Sequence, residues 1–149
     1  MQLIRVIGAA ALLATLLTGS ALAACTVAVS TPGILTLSSD GTKLSSQTGV
    51  ASVMTISNLS ILGSTITISA PQLTGGPVVP GAVLEESYSA SWLLGVGTSS
   101  SGGFVSTNRS FNVPGVASLV VTVTLDNRAT SASGFSQGTY TTKTNVDCT

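Results

Sequence analysis

The stretch GTYTTKTNVDC, from Gly138 to Cys148, decides the fold that we predict. Its even-numbered residues, which include Tyr140 and Cys148, share one phase of a two-residue period, and its odd-numbered residues share the other. This alternation is typical of a β-strand with one buried and one solvated face. The other cysteine, Cys25, opens a similar pattern in which Val27 and Val29 share its phase. Both thiols therefore lie in the buried phase of a terminal strand, and we expect a disulfide between Cys25 and Cys148.

The first 23 residues have the features of an export signal. Arg5 supplies a positive charge, Val6 to Leu17 form an apolar run, and Ala21 to Ala23 form a small-x-small cleavage site. The apolar run is shorter than the roughly 20 residues that a membrane-spanning helix needs. We predict a signal peptide at 1–23 and a single domain at 24–149, exported to the periplasm, the cell surface or the extracellular space.

A second interpretation of the cleavage region stays open at this point. Leu22 to Cys25 also resembles a bacterial lipobox, in which Cys25 would carry a lipid and Cys148 would have no partner. Exported domains meet an oxidising environment, and the two ends of a domain often lie close together. Both considerations favour the disulfide.

Composition excludes several classes of function. The chain has no histidine, which removes imidazole base catalysis, serine–histidine–aspartate triads and histidine-ligated zinc. After the predicted cleavage, four basic residues stand against five acidic ones, so no electrostatic attraction to nucleic acid is expected. We predict that the protein is not an enzyme. We assign no catalytic, cofactor-binding or metal-binding residue, no nucleic-acid partner and no transmembrane segment.

The rest of the chain consists of short β-type runs separated by turn signals. Proline and glycine make 71–83 an irregular crossover or a frayed edge, and 95–103 reads as a flexible loop. Phe135, in the connection before the last strand, is expected to cover an edge of the core. The pattern predicts an all-β fold, an antiparallel two-sheet immunoglobulin-like sandwich of about 7–8 short strands, with an open barrel as second choice. The predicted runs are 25–30, 33–42, 50–57, 64–70, 84–94, 105–113, 117–127 and 138–148. Of these, 50–57 and 64–70 are expected to form a pair.

Tyr88 and Trp92 have two interpretations. They could form an exposed aromatic platform for a sugar or a partner. Because they share a phase with Ala90, packing in the core is favoured. Glu86 lies in the same phase, where an unpaired buried carboxylate would be costly, so we place it at the solvated end of the strand or in a pair with Arg109 or Arg128.

The export signal, an early Cys25, Ser/Thr-rich alternating strands and a closing G-x-Y-T-x-x-x-x-V run resemble the spore coat U-like secreted proteins. The run consists of Gly138, Tyr140, Thr141 and Val146. The chain is more distantly similar to the pilin subunits of chaperone–usher fimbriae. The resemblance implies an exported immunoglobulin-like sandwich that assembles into surface fibres through donated strands.

Three functional hypotheses follow. The first is a non-catalytic structural or adhesive protein of the bacterial cell surface, with other copies of itself, fimbrial subunits or a chaperone as partners. The second is a periplasmic or secreted module that binds a ligand or a partner, for which exposed Tyr88 and Trp92 would be the mark. The third is a hydrolase, which would need two facing carboxyl groups.

Overall fold

A computed structural model describes residues 25–93, 99–115 and 119–149, and every regular element in them is a β-strand. The predicted signal peptide lies outside the described residues. No helix that could span a bilayer occurs within the described ranges. The strands are β1 (Thr26–Thr31), β2 (Ile34–Leu37), β3 (Lys43–Val50), β4 (Ser52–Ser57), β5 (Ser64–Ile68), β6 (Gln72–Gly75), β7 (Val83–Trp92), β8 (Ser99–Val105), β9 (Arg109–Val113), β10 (Val121–Thr130), β11 (Thr141–Lys143) and β12 (Val146–Cys148).

The strands form three antiparallel sheets, and the two smaller ones continue each other from β5 to β6 and from β11 to β12 as one layer opposite the largest sheet, which confirms the predicted all-β sandwich. In the larger layer, β10 is central: it pairs along one side with β3 and β4 and along the other with β7, which in turn pairs with β8. The outer edge beyond β3 and β4 is formed by β2 and β1. In the smaller layer, β5 pairs with β9 and β12, and β6 pairs with β11. Four pairs of consecutive strands are separated by short breaks and each pair counts as one run, so the twelve strands make eight runs. These pairs are β1 with β2, β3 with β4, β5 with β6, and β11 with β12.

The disulfide prediction is confirmed, since Cys25 is bonded to Cys148 with a Cα–Cα distance of 6.1 Å. The bond joins the start of β1 in the larger layer to the end of β12 in the smaller layer. It closes a loop with a sequence separation of 123 residues. In the loop-entropy model a closure of this length contributes at most about 5 kcal/mol to the free energy of unfolding. A sulfur used in this way cannot carry a lipid.

Two hydrophobic clusters fill the interior. We call the part of the sandwich next to the disulfide the closed half, and the part at the other end the open half. The closed half holds fourteen buried residues from both layers, with Cys25, Val146 and Cys148 packed against them. Among them, the Phe111 ring is stacked with Tyr88 and with Trp92, at centroid distances of 5.1 and 6.4 Å. The cluster in the open half has four buried residues: Leu44, Ala129, Phe135 and Tyr140.

Alternation predicted the interior strands well. Tyr88, Ala90 and Trp92 face inward from β7 as predicted. The inward phase of β10 continues past the predicted end at 127 as far as Ala129, while Ala117 and Ser118 lie outside the described residues. The last strand is divided into β11 and β12, and its even-numbered residues are the less exposed ones, as predicted. Phe135 is buried and packs edge-on against Tyr140.

The prediction for the first strand was partly wrong. The strand exists as β1, but Val27 and Val29 are 38% and 62% exposed. The smaller layer covers Cys25 through β12 and does not extend over the rest of β1. The runs 50–57 and 64–70 also do not pair with each other, because β4 belongs to the larger layer and β5 to the smaller one.

Two strands were missed. Lys43–Val50 forms β3, and Ser99–Val105, part of the predicted flexible loop, forms β8. The remaining loop residues 95–98 lie outside the described ranges. In β8 the missing side chain of Gly102 makes room for the Tyr88 ring, because a Cβ there would lie 2.6 Å from Tyr88 Cε1. The crossover 71–83 is irregular apart from the short edge strand β6.

Candidate functional site

A cleft of about 370 Å³ lies between the two layers in the open half. One wall is the outer edge of the larger layer, at β1 and β2, and the other is the segment from Tyr140 to Thr144. The cleft begins at Val29 on one edge and at Thr144 on the other, each four residues from its disulfide cysteine. The disulfide therefore ties the two edges together at one end, and beyond it the edges separate.

Both edges of the cleft are free to accept another strand. In the part of the chain that the structure describes, β1 pairs with β4 alone, and β11 pairs with β6 alone. Asn145 and Thr149 direct backbone hydrogen bonds toward β5, at Ser69 and Thr65. Since successive residues of a strand direct their backbone groups to opposite sides, Val146 and Cys148 direct theirs to the free side of β12. Backbone donors and acceptors are thus available on that side, next to the Thr144 end of the cleft.

Apolar side chains make up much of the cleft surface. Leu125 and Met54 contribute on the side of the closed half, while Leu35 and Tyr140 contribute on the other side. Val29 extends this surface to the outside, and Ile34 and Leu37 on β2 are 55% and 41% exposed. Charged residues and prolines are the usual protections of an exposed sheet edge. Neither β1 nor β2 contains a charged residue, and the proline of this edge, Pro32, lies in the break between them. The edge is suited to contact with another chain.

A row of buried polar side chains crosses the interior between the two hydrophobic clusters. We call this row the polar belt. It begins at Arg109 on β9, passes through Glu86 on β7 and Asn127 on β10, and ends at Ser46 on β3. Thr144 of the smaller layer covers it and donates its hydroxyl to Glu86 Oε2. The belt reaches the cleft, because Ser46, Asn127 and Thr144 line it.

Glu86 is the centre of the polar belt and its side chain is 0% exposed. Glu86 pairs with Arg109, one of the two partners that the sequence suggested. Arg109 Nη2 lies 3.5 Å from Glu86 Oε1 and also donates to the Glu86 carbonyl oxygen. Arg109 is further fixed by a hydrogen bond to the Gly103 carbonyl and by its position over the Tyr88 ring. Burial raises the pKa of Glu86, and the hydrogen bond from Thr144 and the charge of Arg109 oppose that shift. The pair of Glu85 with Arg128 lies closer to the surface.

Two members of the polar belt have a buried atom without a hydrogen-bond partner among the described residues, Arg109 at Nε and Asn127 at Oδ1. Asn127 is 7% exposed. Its side chain lies close to Glu86 and acts to lower the pKa of that carboxyl. Ser46 cannot supply the missing proton, because its hydroxyl donates to Asp126 and accepts from the Asn127 backbone.

The structure places the sequence-predicted site residues in two different settings. Cys25 and Cys148 form the closed end of the cleft. Tyr88 and Trp92 are 9% and 6% exposed and belong to the core stack, so the interpretation as an exposed platform does not hold. Sequence reasoning missed Asn127 as a cleft residue. Its phase with Leu125 predicted burial, but no sequence signal showed that an acceptor would be left unpaired.

Comparison with protein-family models, with curated proteins and with solved structures finds no match to this chain.

Proposed function

We propose that this chain is an exported, non-catalytic structural protein of the bacterial cell surface, and that it assembles by accepting an extended segment of a neighbouring copy in the cleft. The observation that carries the proposal is the cleft itself, whose two walls are free strand edges of different layers. A segment inserted there would continue both sheets at once. It would also cover apolar surface that this chain leaves open to solvent.

The energetic argument concerns both backbone and side chains. An inserted strand would satisfy backbone groups along 140–144 by β-strand addition, a recurring mode of peptide recognition. It would also bury Val29 and the partly exposed side chains around it. Burial of one such aliphatic side chain contributes roughly 1.5 to 3 kcal/mol. Low charge adds support, because little electrostatic repulsion opposes the approach of a second copy.

The resemblance of Gly138, Tyr140, Thr141 and Val146 to the closing strand of spore coat U-like proteins and pilins supports the same proposal. In those families the subunits are assembled by donated strands. The burial of Tyr88 and Trp92 removes the feature on which the alternative, a ligand-binding module with an aromatic platform, depended.

The proposal can be tested by the mass of the protein in solution. We expect the protein, expressed with its own leader and purified after export, to form oligomers whose mass by light scattering rises with concentration. Val29→Lys places a charge on the cleft edge and should keep the protein monomeric. Val105→Lys is the matched control, because Val105 is an exposed residue on β8 at the opposite edge of the same layer.

Retained oligomers in the Val105→Lys variant together with monomeric Val29→Lys would support assembly through the cleft. A wild-type protein that is monomeric over the whole concentration range would contradict the proposal. Equal loss of oligomers in both variants would show that general edge pairing, and not the cleft, is responsible.

A further inference from the structure

The end of the sandwich beyond the disulfide carries an exposed apolar surface that the proposed function does not use. We call this surface the closed tip. It consists of Ile61 and Leu62 in the turn between β4 and β5, Leu93 after β7 and Val120 before β10. Among the described residues, four large hydrophobic side chains are more than two thirds exposed, and three of them lie here: Ile61, Leu62 and Leu93, at 69%, 93% and 90%. Single exposed apolar residues are ordinary, but a cluster of them marks a surface for a partner.

The pairing of β4, β7 and β10 brings the parts of the closed tip together. Val121 pairs with Trp92 on one side and with Ile56 on the other. Leu93 and Val120 are therefore neighbours one residue further along, and the chain beyond Ile56 enters the turn of the closed tip. Because adjacent strands of a sheet lie about 4.8 Å apart, the exposed side chains belong to one end of the molecule.

The turn between β4 and β5 is fixed by its own hydrogen bonds. The Leu62 amide donates to Ser60 Oγ, and the Gly63 amide donates to the Ser60 carbonyl oxygen. The Ser60 amide in turn donates to Ser64 Oγ. Gly115 packs directly onto the turn, since a Cβ on that glycine would overlap the turn backbone. The chain thus holds two aliphatic side chains outward on a turn whose amides at these three positions already have acceptors.

The closed tip carries no charge. Its three connections lie in stretches of sequence without a charged residue, which are 44–84, 87–108 and 110–125. Asp147 on β12 is the only charged residue that the structure describes in the closed half outside the polar belt. A partner of this surface is therefore recognised by its apolar character, and anionic groups are not favoured.

A lipid surface fits these features better than a second copy of the chain. Two copies that met here would contribute four exposed side chains each, whereas a stable protein interface takes roughly 20 to 30 residues from each partner. Lipid has no such requirement, because aliphatic side chains enter the boundary between head groups and acyl chains individually, with an affinity that follows the apolar area buried. Amides that are satisfied within the turn lower the cost of that entry.

We propose that the closed tip binds a lipid bilayer by inserting Ile61, Leu62 and Leu93 into its surface, and that electrically neutral head groups suffice for this binding. The inference is independent of the proposed function. Because the cleft lies in the open half, on the other side of the polar belt, lipid binding and strand acceptance do not compete for the same surface.

Flotation of the exported and purified protein with phosphatidylcholine vesicles tests the inference. We expect the wild-type protein to float with the vesicles to the same extent at low and high salt, because no ion pair contributes. The double variant Leu62→Ser/Leu93→Ser should bind about tenfold more weakly, since it removes two of the three inserted side chains. Both leucines are about nine-tenths exposed, so the substitutions should leave the fold intact.

Val78→Ser is the matched control. Val78 is 92% exposed, like the two leucines, but it lies in the crossover 71–83, where its neighbour Val79 packs against the cluster of the open half. This variant should float with the vesicles as the wild-type protein does.

Three results would overturn the inference. The first is a wild-type protein that does not float at any lipid concentration, or that loses as much binding in Val78→Ser as in the double variant. The second is binding that needs anionic phosphatidylglycerol and disappears in high salt, which would show attraction by charge. The third is a wild-type protein that does not float and whose mass by light scattering without lipid falls in the double variant, which would show that a second copy covers the closed tip.

Failure of the inference is distinguishable from failure of the proposed function. A wild-type protein that floats with the vesicles but stays monomeric at every concentration would contradict strand acceptance and support the lipid-binding tip. A protein that forms oligomers through the cleft but does not float would do the reverse.

Discussion

The closed half and the open half of the sandwich are stabilised in different ways. The closed half has the large cluster of buried residues, the aromatic stack on Phe111 and the disulfide that joins the layers. The open half has four buried residues and a cleft where the layers separate. The difference indicates that the chain completes its own core at one end and leaves the other end to be completed by contact with another chain.

The polar belt is the boundary between these halves. It connects β7, β9 and β10 with the segment that carries Thr144, so it fixes the relative position of the layers where apolar packing is interrupted. A buried ion pair contributes little net stability, because desolvation offsets the attraction between the charges. Its role here is positioning, because Arg109 and Thr144 of the smaller layer both bind Glu86 of the larger one.

The largest expected effect is on the free energy of unfolding, when one buried leucine is truncated in the closed half and a matched one in the open half. Leu119 and Leu44 are each 2% exposed, the first in the closed half and the second in the open half. We expect Leu119→Ala to lower the free energy of unfolding by about 4 kcal/mol and Leu44→Ala by about 2.5 kcal/mol, because the smaller cluster can relax around the cavity. Urea denaturation measures both values. Equal losses, or a larger loss for Leu44→Ala, would show that the halves are equally well packed.

Glu86→Gln is expected to have a smaller effect, which is a change in how the free energy of unfolding depends on pH. The pKa of Glu86 is raised in the folded protein above its usual 4.5, so the folded state retains a proton that the unfolded state releases. Wild-type stability should therefore fall as the pH rises from 4.5 through the folded pKa, and the variant should lack this decrease. The stability of the variant relative to wild type should increase between pH 4.5 and pH 7 in urea denaturation.

Glu85→Gln is the control for this measurement. Its carboxylate pairs with Arg128 nearer the surface, where ion pairs contribute little. A pH dependence of the same size in both variants would mean that burial in the polar belt is not its cause.

Sequence alternation predicts the parts of this fold where one face of a strand is buried. The inward phases of β7 and β10 and the pairing of Cys25 with Cys148 were available in this way. Alternation could not predict β8, because its Ser and Gly residues join the sheet through backbone hydrogen bonds, with Gly102 packed under Tyr88. The exposure of Val29 was also unpredictable, since the sequence pattern of a covered strand and that of an uncovered one are the same.

The candidate site was less accessible to sequence reasoning than the fold. The pairing of Glu86 with Arg109 was one of several options, and only the packing of β9 against β7 selects it. The unpaired acceptor of Asn127 depends on where the hydroxyl groups of Ser46 and Thr144 direct their protons. Such a network is a property of residues brought together from distant parts of the chain.

The central claim, that two free strand edges accept an extended segment of a neighbouring copy, is tested most directly by residue-resolved amide hydrogen exchange at protein concentrations below and above the onset of assembly. We predict that assembly slows exchange in 29–33 and 140–144, the two walls of the cleft, and leaves exchange in β8 unchanged. Unchanged exchange along both walls in the assembled protein, or slower exchange along β8 instead, would contradict the account.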